Sequence, residues 1–179
     1  MKKKFQLVDL CYMAICAALI AICSWISIPA AIPFTLQTFA VFCVLGILGG
    51  RRGTVAILVY ILLGAVGLPV FTGFNAGIGA LLGTTGGYIL GFVFIGLVDW
   101  TAEMLFGTGL RVRVAAMILG LMVCYAFGTG WFMFLYARKT GPISLGTALG
   151  WCVFPFVIPD LVKMSLAMFV SERLRNLVH

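Results

Sequence analysis

The chain has 179 residues, of which 63% are apolar and only 9% charged, with a mean hydropathy of +1.19 and a formal net charge of +7. A soluble domain carries about a quarter charged residues. This sequence cannot coat itself in a polar shell, which excludes a soluble enzyme, a nucleic-acid-binding domain and a disordered tail. The excess of Lys and Arg reads instead as the basic flanks of spans in a lipid bilayer.

Along the chain, Lys2, Lys3 and Lys4 precede an apolar run from Phe5 to Ser27. That run is too long for a signal-peptide core, so it is read as a first transmembrane helix. Six spans are predicted in all, at roughly 5–27, 33–49, 53–67, 87–106, 112–136 and 152–173. They make one all-α integral membrane domain covering residues 1–179, a bundle of six transmembrane helices. The second and third spans are short for a hydrocarbon core about 30 Å thick, so neighbouring protein must cover what they leave. The stretch 68–86 between the third and fourth helices is the expected cover. It is apolar, uncharged and rich in glycine (Gly73, Gly77, Gly79, Gly83 and Gly86). Such a loop is expected to fold back onto the bundle as a lid or binding segment.

Lys and Arg set the topology. With the N-terminus cytoplasmic, the inner side holds Lys2, Lys3, Lys4, Arg51, Arg52, Arg111, Arg113, Arg173 and Arg175, and the outer side only Arg138 and Lys139. Both termini are therefore expected in the cytoplasm, with the 68–86 loop outside. Trp25, Trp131 and Trp151 fall near outer span ends and Trp100 near an inner one, as interfacial aromatic residues do.

Ionisable side chains within a span normally face a cavity or protein. Asp160 and Lys163 are the leading pair, three residues apart and hence on one face of the sixth helix. They read either as a self-satisfied structural ion pair or as the polar anchor of a ligand entering from outside. Asn75 in the lid, Tyr88 at the mouth of the fourth helix and Gln37 near the start of the second add polar groups at the same face. Phe34, Phe71 and Phe74 supply apolar walls, so the set has the composition of a small-molecule pocket. Asp99 and Glu103, four apart on the fourth helix, are left between pairing with Arg111 or Arg113 and meeting a partner protein. Asp9, in the first turn of the first helix, suits the helix dipole and is given no function.

On the first helix, Ala14-x-x-x-Ala18 and Ala17-x-x-x-Ala21 form small-residue stripes that permit close helix approach. They serve either packing within the bundle or docking of another membrane subunit. The six cysteines lie in apolar runs without CxxC spacing, and the single histidine is His179, so neither a metal site nor a cofactor is expected. No GxxxxGK[ST], HExxH or GxSxG occurs, and an enzyme is not expected.

Several motifs then combine into a resemblance. Ile32-Pro33-Phe34-Thr35-Leu36-Gln37-Thr38, Gly50-Arg51-Arg52-Gly53, the run Leu62–Phe71, Gly83-Thr84-Thr85-Gly86-Gly87-Tyr88 and the Pro159-Asp160…Lys163 helix resemble the BioY family, the biotin-specific S components of energy-coupling factor (ECF) transporters. Thr84 stands where that family commonly has proline. The resemblance implies a six-helix bundle that captures biotin from outside, with Asp160, Lys163, Asn75, Tyr88, Gln37, Phe74, Gly73 and Phe34 about the ligand. It also implies a transmembrane coupling subunit meeting Ala14 and Ala18, and two cytoplasmic ATPase subunits. The alternatives are a stand-alone solute carrier or channel that needs no ATPase, and a structural membrane subunit without a ligand.

Overall fold

A computed structural model describes residues 6–28 and 32–178, without the side chains of 175–178. Lys2, Lys3, Lys4, the start of the first predicted span at Phe5, the Arg175 side chain and His179 lie outside the described residues. Helix α1 runs Leu7–Trp25, α2 Gln37–Val66, α3 Ile78–Leu81, α4 Gly86–Phe106, α5 Leu110–Lys139, α6 Leu145–Cys152 and α7 Phe154–Val178. A two-residue antiparallel ribbon pairs β1 (Ser27–Ile28) with β2 (Phe34–Thr35). Five helical stretches among the described residues are long and apolar enough to cross a membrane.

The stretch Gln37–Val66 is two helices. At Gly49 the backbone has φ 78° and ψ 170°, which interrupts α2. Gln37 and Tyr60 would be roughly 35 Å apart on a continuous helix, yet the Gln37 amide donates to the Tyr60 hydroxyl at 2.7 Å. Gly53 likewise lies against the backbone of Leu45. The chain therefore reverses at Gly49, a conformation that glycine adopts without Cβ strain. Limbs 37–48 and 50–66 stand antiparallel, and the transmembrane helices become six, as the predicted spans require.

The turn exposes the end of one helix and the start of the next, and charges cap both. Arg113 on α5 donates to the carbonyl of Gly46 at 2.8 Å, and Glu103 on α4 accepts from the amide of Gly50 at 2.7 Å. A cation at a helix C-terminus and a carboxylate at an N-terminus each oppose the local end charge. Asp99, Glu103 and Arg113 share a small pocket here. Asp9, next to the α1 start, accepts from the Gln6 amide at 3.0 Å and pairs with Arg52 at 3.1 Å, so it does more than suit a dipole.

The two limbs of α2 form the axis of the bundle. α1, α4 and α7 pack on them, and α5 packs on α4. Lipid gives helices no hydrophobic drive to associate, so close approach by small residues matters. Gly50 sits on the Trp100 backbone, Gly96 on Thr54, Gly120 on Ile95 and Gly91 on Cys124.

Two elements were not predicted, and one of them takes Phe34–Thr35 out of the second predicted span, whose helix starts only at Gln37. The β-ribbon joins α1 to α2, and α6 precedes the last helix. Ser144 caps α6 by accepting from the Thr147 amide at 3.2 Å, and the chain breaks at Val153 (φ −124°, ψ −59°) before α7 begins. The 68–86 loop holds a single 3-10 turn (Thr72–Phe74) followed by the one-turn α3.

Candidate functional site

The ribbon, the 67–85 loop, the start of α4, α6 and the start of α7 gather at the end of the bundle opposite Gly49. Beneath them is a cavity of about 440 Å³, within the range of small-molecule sites.

The loop roof is fastened by hydrogen bonds to its own carbonyls. Ser24 at the end of α1 donates to Val70 O at 2.6 Å, and the Trp25 indole donates to Pro69 O at 2.9 Å. Tyr60 also donates to Val70 O, at 3.2 Å, while accepting from Gln37. Phe71 drops beneath the loop, 1% exposed, with its ring edge-on to Tyr60 at 5.6 Å. Its seat is Gly64, where a Cβ would collide with the Phe71 ring. Gly64→Val is expected to expel Phe71 and cost about 1–3 kcal/mol through overpacking. A lowered thermal midpoint of the detergent-solubilised protein would check this, and an unchanged midpoint would contradict it.

The floor is polar. Asp160 is 2% exposed and Lys163 6% exposed. Asp160 Oδ1 accepts from Lys163 Nζ at 3.0 Å and from Thr38 Oγ1 at 2.8 Å, and Oδ2 accepts from the Tyr125 hydroxyl at 2.5 Å. Lys163 Nζ further donates to Thr35 O at 2.7 Å and Thr38 Oγ1 at 3.1 Å, and lies 4.0 Å over the Phe34 ring. A buried ion pair persists only with such additional bonds, because desolvating two charges is costly. The ribbon and the first turn of α2 supply the bonds to Lys163 through Thr35 and Thr38, while Gln37 of the same motif turns to Tyr60.

Of the residues singled out from the sequence, Gln37, Asn75, Tyr88, Asp160 and Lys163 line the cavity. Tyr88 packs its ring on Gly128, and its hydroxyl is 3.0 Å from Thr129 Oγ1. Asn75 donates to Thr72 O at 2.7 Å, which shapes the lid and leaves its amide oxygen as an acceptor. Phe34 stands behind Lys163, stacked with Phe156 at 6.1 Å, and is not among the lining residues. Gly73 and Phe74 also lie off the lining. Phe74 has φ 59°, a left-handed conformation uncommon for a bulky residue. Its side chain is 62% exposed and stacks on Trp25 at 5.0 Å. The buried aromatic of the lid is therefore Phe71, and Phe74 clasps the lid to α1.

Tyr125, Thr35, Thr38, Phe156 and Cys152 also line the cavity. Thr35 and Thr38 were visible as hydroxyls within a quoted motif. Tyr125 had no signal beyond a hydroxyl in an apolar span. On α1 the two alanine stripes separate: Ala17 and Ala21 are buried, whereas Ala14 and Ala18 are exposed.

The BioY family model matches residues 1–179. The chain is 39% identical to a biotin transporter BioY of Thermotoga maritima over 165 residues, covering 89% of this chain and 91% of that one. It is 38% identical to a probable biotin transporter BioY of Pyrococcus horikoshii, covering 92% and 94%. A crystal structure of the S-component for biotin from an ECF-type ABC transporter superposes with a TM-score of 0.79 at 26% identity, covering 94% of this chain and 90% of that one. With its full length matched and its fold shared, the chain belongs to the BioY family.

Proposed function

We propose that this chain is the biotin-binding S component of an ECF-type uptake transporter, a multi-pass protein of the prokaryotic plasma membrane. The observation that carries the reading is the buried Asp160–Lys163 cluster at the floor of a roofed cavity, in a chain of this family. Biotin offers an apolar bicycle, a ureido group that donates and accepts, and a carboxylate tail. Tyr88 and Phe71 provide apolar walls for the bicycle, and Asn75 and Gln37 provide amides near the lid. Phe34 and the Gly73–Phe74 turn support the site from behind its lining.

The hydrogen-bond inventory divides the labour on the floor. All three Lys163 N–H groups already have acceptors in Thr35, Thr38 and Asp160, so a ligand oxygen reaches Nζ only by replacing one of them. Asp160 Oδ2 keeps acceptor capacity beyond its bond to Tyr125. Asp160 is therefore the group that accepts a ligand N–H, and Lys163 neutralises it and fixes its rotamer. Asp160 and Lys163 act together as one site rather than as two independent contacts.

We further infer that both termini are cytoplasmic, so that the lid faces outward. The described basic residues Arg51, Arg52, Arg111, Arg113 and Arg173 support this at the Gly49 end, against Arg138 and Lys139 at the lid end. Energy for release would come from a coupling subunit bearing two ATPases, docked along the exposed Ala14–Ala18 face. Proteoliposomes test this reading. With the partner module and internal ATP, labelled biotin should accumulate. Concentrative uptake by this chain alone would favour the stand-alone carrier instead.

A further inference from the structure

Tyr125 takes no part in the motifs that led to the site, yet its hydroxyl makes the 2.5 Å bond to Asp160 Oδ2. The two residues come from α5 and α7, which are not extensively packed on one another. α5 packs on α4 and α6, and α7 packs on α2 and α6. Both helices line the cavity, so the Tyr125–Asp160 bond crosses a gap that apolar packing does not close. A phenol has one proton to donate, and here it is spent on the carboxylate. What both groups still offer is lone pairs, on Tyr125 Oη and on Asp160 Oδ2. Lys163 and Thr38 meanwhile occupy Oδ1 from the other side.

We propose that Tyr125 is a positioning residue that sets the hydrogen-bond polarity of the floor. By committing its proton across the cavity it holds Asp160 Oδ2 in place, and it leaves a pair of acceptor oxygens that select a ligand end bearing N–H donors. This rests on the biotin-binding reading, in which the ureido group supplies those donors. Tyr125 acts through Asp160, so its removal changes the discrimination between ligands and not only their affinity.

The test compares the wild-type chain with Tyr125→Phe, each titrated with biotin and with the two biotin derivatives methylated at one or the other ureido nitrogen. In the wild type, methylation of the nitrogen that faces Asp160 should weaken binding strongly. In Tyr125→Phe, biotin should bind about 10- to 100-fold less tightly, the loss typical of a hydrogen bond to a charged group. The preference for biotin over that methyl derivative should fall by about tenfold. A preference ratio unchanged for both derivatives, with affinities lowered equally, means a merely structural tyrosine and overturns the proposal. Should Tyr125→Phe fail to fold, Tyr125→His restores a ring with an N–H donor, and its methyl-discrimination ratio answers the same question: retained discrimination supports the proposal and lost discrimination overturns it. Absence of saturable biotin binding by folded wild-type protein would instead overturn the functional reading itself.

Discussion

Lys163→Met should abolish saturable biotin binding while the protein still inserts and folds. The reason lies in what remains. Lys163 is the only cation bonded to Asp160 among the described residues, at 3.0 Å, and the carboxylate is 2% exposed. Removing one member of a buried pair costs about 3–5 kcal/mol, because the other charge stays desolvated. Thr38 and Tyr125 still donate to the carboxylate, but hydroxyls bring no charge. The uncompensated carboxylate then draws in water, which competes with the ligand N–H for the same acceptor oxygen. Methionine keeps the length and apolar stem of lysine, so the ring of Phe34 keeps a neighbour. Asp160→Asn should act comparably from the other side by leaving Lys163 uncompensated. The double variant removes both charges. Its thermal midpoint should recover relative to either single variant although its biotin affinity does not. Calorimetric titration together with thermal unfolding checks all three variants. Tight biotin binding retained by either single variant would sink the anchor role of the pair.

Ala18→Trp should abolish ATP-driven uptake and leave biotin affinity within about twofold. Ala18 and Ala14 lie on the exposed side of α1, one turn apart, whereas Ala17 and Ala21 are buried. An indole on the exposed side meets lipid in the isolated protein and disturbs nothing inside. Against a second helix it forces the backbones apart by several ångströms, where small residues let helices touch. The affected quantity should be co-purification with the coupling module, and with it transport. Ala17→Trp is the contrasting variant: Ala17 is 1% exposed, so the indole would wedge α1 from α2 and lower stability first. Wild-type uptake by Ala18→Trp would place the docking face elsewhere.

The membrane helices were legible because hydropathy accumulates over twenty residues and does not depend on tertiary contacts. The reversal at Gly49 was legible too, since Gly49-Gly50-Arg51-Arg52-Gly53 interrupts an apolar run with charge and flexible backbone. Asp160 and Lys163 stood out because ionisable groups are rare within spans. Hydroxyls do not stand out in this way. Tyr125 and Thr38 cost little in an apolar helix, and their bonds to Asp160 join residues 35 and 122 positions apart. Phe71 and Phe74 were equivalent as apolar residues of one loop. Only the left-handed backbone at Phe74 and the seat at Gly64 decide which ring is buried. The β-ribbon and α6 escaped for a related reason, being two and eight residues long, too short for periodicity to register.

The most direct test is calorimetric titration of the purified wild-type chain with biotin, in detergent and without partner subunits. The buried anchor and the roofed cavity predict saturable binding of one biotin per chain. A folded protein that takes up no biotin at any accessible concentration would contradict the assignment of this cavity as the biotin site.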